Sequence, residues 1–183
     1  MIDPLLVRAI SVACALLLLL SAWHKLAARD RFIAALGDYR LLPAALLQPA
    51  AVLIPASEAV LGVAWLAGHE QGAVAMLTAA LLALYAAAIA INLWRGRVHI
   101  SCGCGFGGAS GTDQQLSWWL VARNVLLGAV AVLAALPAAS RELGFYDWLT
   151  VVLALAACGT LYAGASQLLR NGAAISSWRR LRD

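Results

Sequence analysis

Long apolar runs separated by short polar links are the dominant pattern of this chain. Each run is close to the roughly 20 residues that a helix needs to cross about 30 Å of hydrocarbon. Because a segment in lipid must satisfy its own backbone hydrogen bonds, we expect each run to be an α-helix. The expected spans are 5–27, 45–68, 71–94, 117–138 and 146–169.

The link between the first two runs, residues 26–43, has its own helical period. Phe32, Ile33, Leu36 and Tyr39 recur at helical spacing, with charged residues between them. This pattern is typical of a short amphipathic helix that lies at the membrane interface. We expect the Leu42-Pro43 pair to end it, because the residue before a proline avoids helical geometry.

Composition excludes an ordinary soluble bundle. Of the 183 residues, 63% are hydrophobic and 12% are charged, and the mean hydropathy is +0.84. A soluble domain has about half apolar and about a quarter charged residues. We therefore predict an all-α, polytopic integral membrane helical bundle in lipid, as a single transmembrane domain over 1–183. It has four core transmembrane helices plus a fifth, and the first run is a retained helix rather than a signal peptide.

The formal net charge of +4 reflects membrane topology, and we expect no nucleic-acid partner. The lysines and arginines of the links lie mostly on one side of the predicted membrane. That side carries Lys25, Arg29, Arg31, Arg40, Arg95, Arg97, Arg170, Arg179, Arg180 and Arg182, and the other carries Arg8 and Arg141. The positive-inside rule places the first side, the 99–111 loop and the C-terminus in the cytoplasm.

The 99–111 loop, "HISCGCGFGGASG", carries the sharpest chemical signal. Cys102 and Cys104 are separated only by Gly103, which gives the backbone the freedom that a close bridge requires. The thiolate is the reactive form of cysteine, and nearby positive charge favours it. The candidate cations are Arg95, Arg97 and Arg123. We interpret the pair as a redox-active dithiol whose strained disulfide is easily reduced.

Two alternatives for this loop stay open. His99, Cys102 and Cys104 have the donor atoms of a soft-metal site, which would make the chain a membrane metal-handling protein. The two cysteines can also be ordinary loop residues of a structural membrane subunit.

Polar side chains inside the runs form a second signal, because ionisable groups in a bilayer are usually functional or paired. Glu58 lies deepest and requires a cation, for which Lys25 and Arg123 are the candidates. The polar residues expected on the side of the cysteine loop are His24, Lys25, Glu58, Asn92, Arg123 and Asn124. Glu58 and its cation either form a structural ion pair or take part in proton or electron transfer.

Cys14 and Cys158 lie in the first and fifth runs, towards the opposite face. Buried cysteine most often acts as a small hydrophobic residue. The alternative is a second redox pair that passes electrons across the membrane.

Several stretches together resemble the MauE family, part of the wider DoxX-like group of redox-associated membrane proteins. They are Lys25 followed by "RDRFIAALGDYRLLP", then "PASEAVLG", "NLWRGRVHISCGCGFG" and "RNVLLG". One departure is Gly105, which separates Cys104 from Phe106, whereas the loop of the family reads Cys-x-Cys-Phe-Gly.

The resemblance implies thiol–disulfide chemistry at the bacterial inner membrane with a periplasmic thioredoxin-like partner, in the maturation of a disulfide-rich subunit for methylamine utilisation. DoxX-like relatives are associated with quinone-linked oxidation, so a quinone is the cofactor that the resemblance suggests. The expected activity is that of a thiol–disulfide oxidoreductase or electron-transfer subunit, with Cys102, Cys104, Glu58 and Arg123 as its active residues. The charge count places the loop in the cytoplasm, whereas a periplasmic partner requires the loop on the opposite side of the membrane. Both interpretations stay open.

Overall fold

The computed structural model describes residues 2–68, 71–97, 116–137, 139 and 141–180. Within 141–180, the exposure of individual residues is described only as far as residue 161 and at Gly164. The regular elements of these residues are all helical, which confirms the predicted all-α fold class. The helices are α1 Pro4–Ala27, α2 Arg29–Tyr39, α3 Ala44–Ala67, α4 Gln71–Trp94, α5 Trp118–Leu133 and α6 Phe145–Arg180.

Some polar side chains are buried while many large apolar ones are exposed, as expected for a protein in lipid. Leu53 and Val60 on α3 are 67% and 68% exposed, while Glu58 of the same helix is 1% exposed. Within the described residues, α1, α3 and α4 are each long and apolar enough to span a membrane, and α5 and Phe145–Leu161 are shorter apolar helices. The chain is a polytopic membrane helical bundle.

Two helix pairs build the first compact unit, Met1–Ala139, with α1 against α3 and α4 against α5. A glycine allows the first pair to approach closely. A Cβ atom added at Gly62 would lie 2.8 Å from Leu19 Cγ and 3.3 Å from the Ala15 carbonyl oxygen. Small residues at such positions let helix backbones pack closely in lipid.

The core of this unit draws on all four of these helices, and it includes Leu18, Trp65, Ala75 and Ala131. Trp65 Nε1 donates a hydrogen bond of 2.9 Å to Thr78 Oγ1, which ties α3 to α4. The backbone of Ile2 bonds to both Pro137 and Ala139, so the start of α1 is tied to the segment that follows α5.

Helix α2 is the amphipathic helix expected in the 26–43 link. Phe32 and Ala35 are buried, and Arg29 and Arg31 are exposed. The helix ends at Tyr39, earlier than the expected Leu42-Pro43 pair. Arg40 takes a left-handed backbone conformation (φ 47°) and donates its N–H to the Gly37 carbonyl oxygen, which closes the last turn.

The first three predicted spans agree with α1, α3 and α4 to within one residue at each end. Helix α5, in contrast, ends at Leu133 and not at 138. The next three residues form only i→i−3 turns up to Leu136, and Pro137 follows. A proline disfavours helical geometry at the residue before it. The helix therefore does not extend to the end of the apolar run.

The second compact unit, Ser140–Asp183, contains α6. Asp147 lies in its first turn, where its carboxylate accepts from Gly144 N at 2.9 Å and from Arg141 Nη2 at 3.0 Å. The helix covers the predicted 146–169 span and continues to Arg180. The single-domain assignment over 1–183 stays a prediction.

Candidate functional site: a buried ion-pair cluster

Glu58 and Lys25 form an ion pair between α3 and α1. Their side chains are 1% and 5% exposed, so both charges are withdrawn from the surface. Of the two cations that the sequence offers, the structure supplies Lys25. The pair cancels its own charge, which is the condition under which ionised groups persist in an apolar interior.

Three donors converge on one oxygen of Glu58. Oε1 accepts from Lys25 Nζ, from Ser21 Oγ at 3.0 Å and from the Tyr85 hydroxyl at 2.8 Å. Lys25 Nζ also donates to Ser21 Oγ at 3.0 Å and to the Tyr85 oxygen at 3.4 Å. Ser21 and Lys25 are neighbours because residues four apart share one face of a helix. The cluster of Ser21, Lys25, Glu58 and Tyr85 therefore joins α1, α3 and α4.

The second oxygen of Glu58 has a different environment. Oε2 is buried and has no hydrogen-bond partner among the described residues. A carboxylate has acceptor sites on both oxygens. Oε2 therefore has acceptor sites that the described residues leave unused.

A cavity of about 210 Å³ adjoins the cluster. Lys25 and Tyr85 of the cluster line it, and the other lining residues are aliphatic or aromatic. Those residues are Phe32, Ala35, Leu36, Tyr39, Leu41, Leu42, Ile54, Leu84, Ala88 and Ile89. Lys25 Nζ lies 4.7 Å from the ring centroid of Tyr85 and 5.5 Å from that of Phe32, within the range of cation–π attraction.

The residues that flank the cysteine loop meet at one end of the α4–α5 pair. Leu116 and Leu120 pack with Ile89 in a small apolar cluster. Tyr39 of α2 packs against this cluster. The rings of Trp94 and Trp118 lie 6.0 Å apart. Residues that precede the loop on α4 and residues that follow it on α5 are therefore in contact.

Two asparagines lie in the same pair of helices, and each donates to the carbonyl oxygen four residues earlier. Asn92 donates to Ala88 at 3.1 Å, and Asn124 donates to Leu120 at 2.8 Å. Asn92 Oδ1 and Arg97 Nη1 are buried without a hydrogen-bond partner within the described ranges. These atoms can accept or donate further bonds at the entrance to the loop.

The remaining predicted site residues are not all brought together. His99, Cys102, Gly103 and Cys104 lie outside the described residues. Arg123 is half-buried on α5, whereas the described polar contacts of Glu58 all belong to the cluster above.

Three further predicted residues have the following environments. Arg95 is exposed at the end of α4. Cys14 is half-buried against the core and Cys158 is exposed, and both are free thiols. No group of three or more His, Cys, Asp or Glu side chains with the geometry of a metal site occurs in the described part of the chain.

Ser21 and Tyr85 are site residues that sequence reasoning missed. A signal for Tyr85 was present, since Thr78, Tyr85 and Asn92 recur every seven residues and so share one face of α4. Thr78 and Asn92 are buried on that face. The signal for Ser21 was its position one helical turn before Lys25.

Comparison with known proteins agrees with this picture. The family model "Methylamine utilisation protein MauE" matches residues 3–137, which contain the whole cluster. The methylamine utilization protein MauE of Paracoccus denitrificans is 35% identical over 170 residues, covering 92% of this chain and 89% of the relative. That of Methylorubrum extorquens is 33% identical over 185 residues, covering 96% and 89%. No solved structure is significantly similar to the chain.

The family match covers α1 to α5 and both flanks of the cysteine loop, and the relatives extend it over most of the remaining chain. The chain belongs to the MauE family of membrane proteins.

Proposed function

We propose that the protein carries out thiol–disulfide exchange at the bacterial inner membrane through Cys102 and Cys104, with a thioredoxin-like protein as its partner. The exchange would support the formation of correct disulfides in a protein of methylamine utilisation, the process named in the relatives. The observation that carries the proposal is that residues on the two sides of the Cys-x-Cys loop, Trp94 and Trp118, lie against each other at one end of the α4–α5 pair.

The charges around the loop suit a reactive thiol. Arg95 and Arg97 precede it, and Arg97 Nη1 is buried with no hydrogen-bond partner within the described part of the chain. A nearby guanidinium favours the thiolate over the thiol, and the thiolate is the form that attacks a disulfide.

A single exchange between the two proteins conserves atoms and electrons without any further reagent. One thiolate of the pair attacks a disulfide of the partner, which forms a mixed disulfide and releases a partner thiolate. The second cysteine then attacks the mixed disulfide, so that Cys102 and Cys104 become joined and the partner dithiol is released. Two electrons and two protons pass to the partner, and the reverse sequence reoxidises it.

Glu58 has a positioning role in this scheme. Its Oε1 accepts from Lys25, Ser21 and Tyr85, which joins α1, α3 and α4. The reacting atoms are the two sulfurs.

The test is trapping of the mixed disulfide. Cys102→Ser and Cys104→Ser are each expressed in a methylamine-using bacterium that lacks its own MauE protein. We expect both variants to abolish growth on methylamine, and one of them to accumulate a higher-mass adduct that a reductant releases. Ser101→Ala and Ser110→Ala serve as loop controls and should grow normally without an adduct.

Growth of both cysteine variants at the wild-type rate would refute the proposal and favour a structural subunit. Copurification of about one soft metal ion per chain, lost in His99→Ala, would instead favour the metal-handling alternative.

A further inference from the structure

We propose that the cavity beside Lys25, together with Arg40 at its mouth, binds one phospholipid with an anionic head group. One acyl chain of the lipid occupies the cavity, and Arg40 binds the phosphate. The site consists of described residues between α1 and α4, and it is independent of the chemistry of Cys102 and Cys104.

The cavity extends through the depth of one lipid leaflet. Leu41 and Leu42 line it at the link between the amphipathic helix α2 and the start of α3. At its other end lies Leu84, which a rise of about 1.5 Å per residue separates from Trp94, the last residue of α4, by about 15 Å. This is half of the roughly 30 Å of a hydrocarbon core. The cavity therefore extends from the interface to the middle of the bilayer, as an acyl chain does.

The two ends of this path belong to the same side of the bundle. Tyr39, the last residue of α2, and Leu93, near the end of α4, pack against one small apolar cluster. The link after α2 and the end of α4 are therefore neighbours, and the distance from Trp94 to Leu84 measures the depth below that link.

The inside of the cavity suits an apolar chain. Lys25 and Tyr85 both direct a donor to Glu58, which is not part of the lining and neutralises the charge of Lys25. The volume of about 210 Å³ exceeds the roughly 150 Å³ of a dry apolar cavity that holds benzene. By that measure it accommodates a chain segment of roughly eight carbons.

The mouth of the cavity faces lipid. Among the lining residues, Leu84 is 62% exposed, and Leu41 and Leu42 are each 37% exposed. Exposed leucines in a membrane-spanning bundle contact acyl chains. One chain of a neighbouring lipid can therefore enter from the side, while the head group stays at the interface.

Arg40 lies at the interfacial end of this mouth. It stands between Tyr39 and Leu41, which both line the cavity. Its side chain is exposed and has no ion-pair partner within the described ranges. A guanidinium binds a phosphate through two parallel N–H···O bonds, so Arg40 is placed to hold the head group of a lipid whose chain lies in the cavity.

The charge of this surface selects an anionic head group. The exposed arginines Arg29, Arg31 and Arg40 outnumber the exposed aspartates Asp30 and Asp38. Each basic residue near a membrane surface favours anionic lipid by about fivefold. The excess of positive charge therefore favours a lipid with a net negative head over a zwitterionic lipid with the same chains.

The experiment titrates dioleoyl phosphatidylglycerol into the purified, delipidated full-length protein in a nonionic detergent, with bound lipid counted by native mass spectrometry. Dioleoyl phosphatidylcholine has the same chains with a zwitterionic head, and glycerol phosphate has the anionic head without chains. We expect one phosphatidylglycerol per chain to bind about fivefold tighter than phosphatidylcholine. Glycerol phosphate at the same concentration should not displace it. Equal affinity of the two lipids, or displacement by glycerol phosphate, would overturn the proposal.

Adjacent alanines on α4 test the position of the chain. Ala88 lines the cavity and Ala87 is exposed outside the lining. Ala88→Phe should fill the cavity and weaken binding of both lipids about tenfold or more, because the chain loses its buried contacts, while Ala87→Phe should leave binding unchanged. Leu84→Trp at the mouth and Leu77→Trp on exposed surface repeat the comparison without altering the core. Equal affinities within both pairs would contradict a chain in this cavity.

Two arginines test the position of the head group. Arg40→Gln should remove most of the preference for phosphatidylglycerol over phosphatidylcholine. Arg141→Gln removes the same charge from an exposed residue of the second compact unit and should preserve the preference. Full preference in Arg40→Gln would contradict the role of Arg40, and loss of the preference in both variants would show that net charge alone attracts the lipid.

Discussion

Glu58 links three helices, because Ser21 and Lys25 of α1 and Tyr85 of α4 all donate hydrogen bonds to its Oε1 atom on α3. Removing one partner of a buried ion pair leaves the other charge uncompensated, which costs far more than the pair itself contributes. The cluster is thus most sensitive to changes that unbalance its charge.

Glu58→Gln should therefore lower the free energy of unfolding by about 3–5 kcal/mol, because Lys25 is left charged and buried without an anion. The measurement is thermal unfolding in detergent, followed by tryptophan fluorescence. Glu142→Gln, at an exposed position, is the control and should change the free energy of unfolding by less than about 0.5 kcal/mol.

The double variant Lys25→Met, Glu58→Gln separates charge from packing. Removing both charges should restore most of the stability lost in Glu58→Gln. A double variant no more stable than Glu58→Gln would show that packing, and not charge balance, dominates at this site.

At the scale of single residues, the sequence predicted the need for a cation but not its identity. Lys25 and Arg123 both belong to the correct end of the bundle, and only the packing of α1 along α3 selects Lys25. Ser21 and Tyr85 contribute hydroxyl groups, which are common in membrane helices. Their roles depend on distances between helices, which residue spacing within one helix does not give.

At the scale of elements, the approach of α1 to α3 depends on the absence of a side chain at Gly62. Its position on α3 places an added Cβ atom against Leu19 and the Ala15 carbonyl oxygen. The contact includes backbone, which has less freedom to move than the end of a flexible side chain. The pair of helices must therefore separate to accept any larger residue.

Gly62→Ala should lower the free energy of unfolding by about 1–3 kcal/mol, the usual cost of overpacking. Gly72→Ala is the matched control, because a Cβ atom there meets nothing within 4 Å. Alanine favours helix over glycine by about 1 kcal/mol, so the control should be neutral or stabilising. Equal effects of the two substitutions in thermal unfolding would contradict a close approach at Gly62.

The helix ends show where hydropathy and backbone geometry differ. Apolar runs predicted α1, α3 and α4 closely, because in these segments hydrophobicity and helix extend together. In α5 the apolar run continues to residue 138, but the helix ends at Leu133, four residues before Pro137. The early end of α2 depends on the left-handed conformation of Arg40, a position that residue type alone does not indicate.

At the scale of the whole molecule, the arrangement of helices brings Lys25, the start of α3 and the end of α4 to one side of the membrane. The excess of lysine and arginine on that side predicts that it is cytoplasmic. This orientation stays a prediction, and it determines whether the cysteine loop meets cytoplasmic or periplasmic proteins.

Labelling of single cysteines in a variant whose four native cysteines are serine tests the orientation. Arg40→Cys and Arg95→Cys should be protected from a membrane-impermeant maleimide in intact spheroplasts, and Gln71→Cys should react. Permeabilised spheroplasts, in which all three positions react, supply the control. Reaction of Arg40→Cys and Arg95→Cys before permeabilisation would reverse the orientation and favour direct exchange with a secreted partner.

The ion pair between Lys25 and Glu58 also has a consequence for biosynthesis, because the chain is made from its N-terminus. Because α1 precedes α3 in the chain, α1 enters the bilayer before Glu58 does, and Lys25 at the end of α1 can extend its amine to the lipid head groups. Glu58 lies well within α3 and has no such escape. The earlier helix thus supplies the counter-ion for Glu58 before α3 is inserted. Insertion of α3 is therefore less costly than it would be without Lys25.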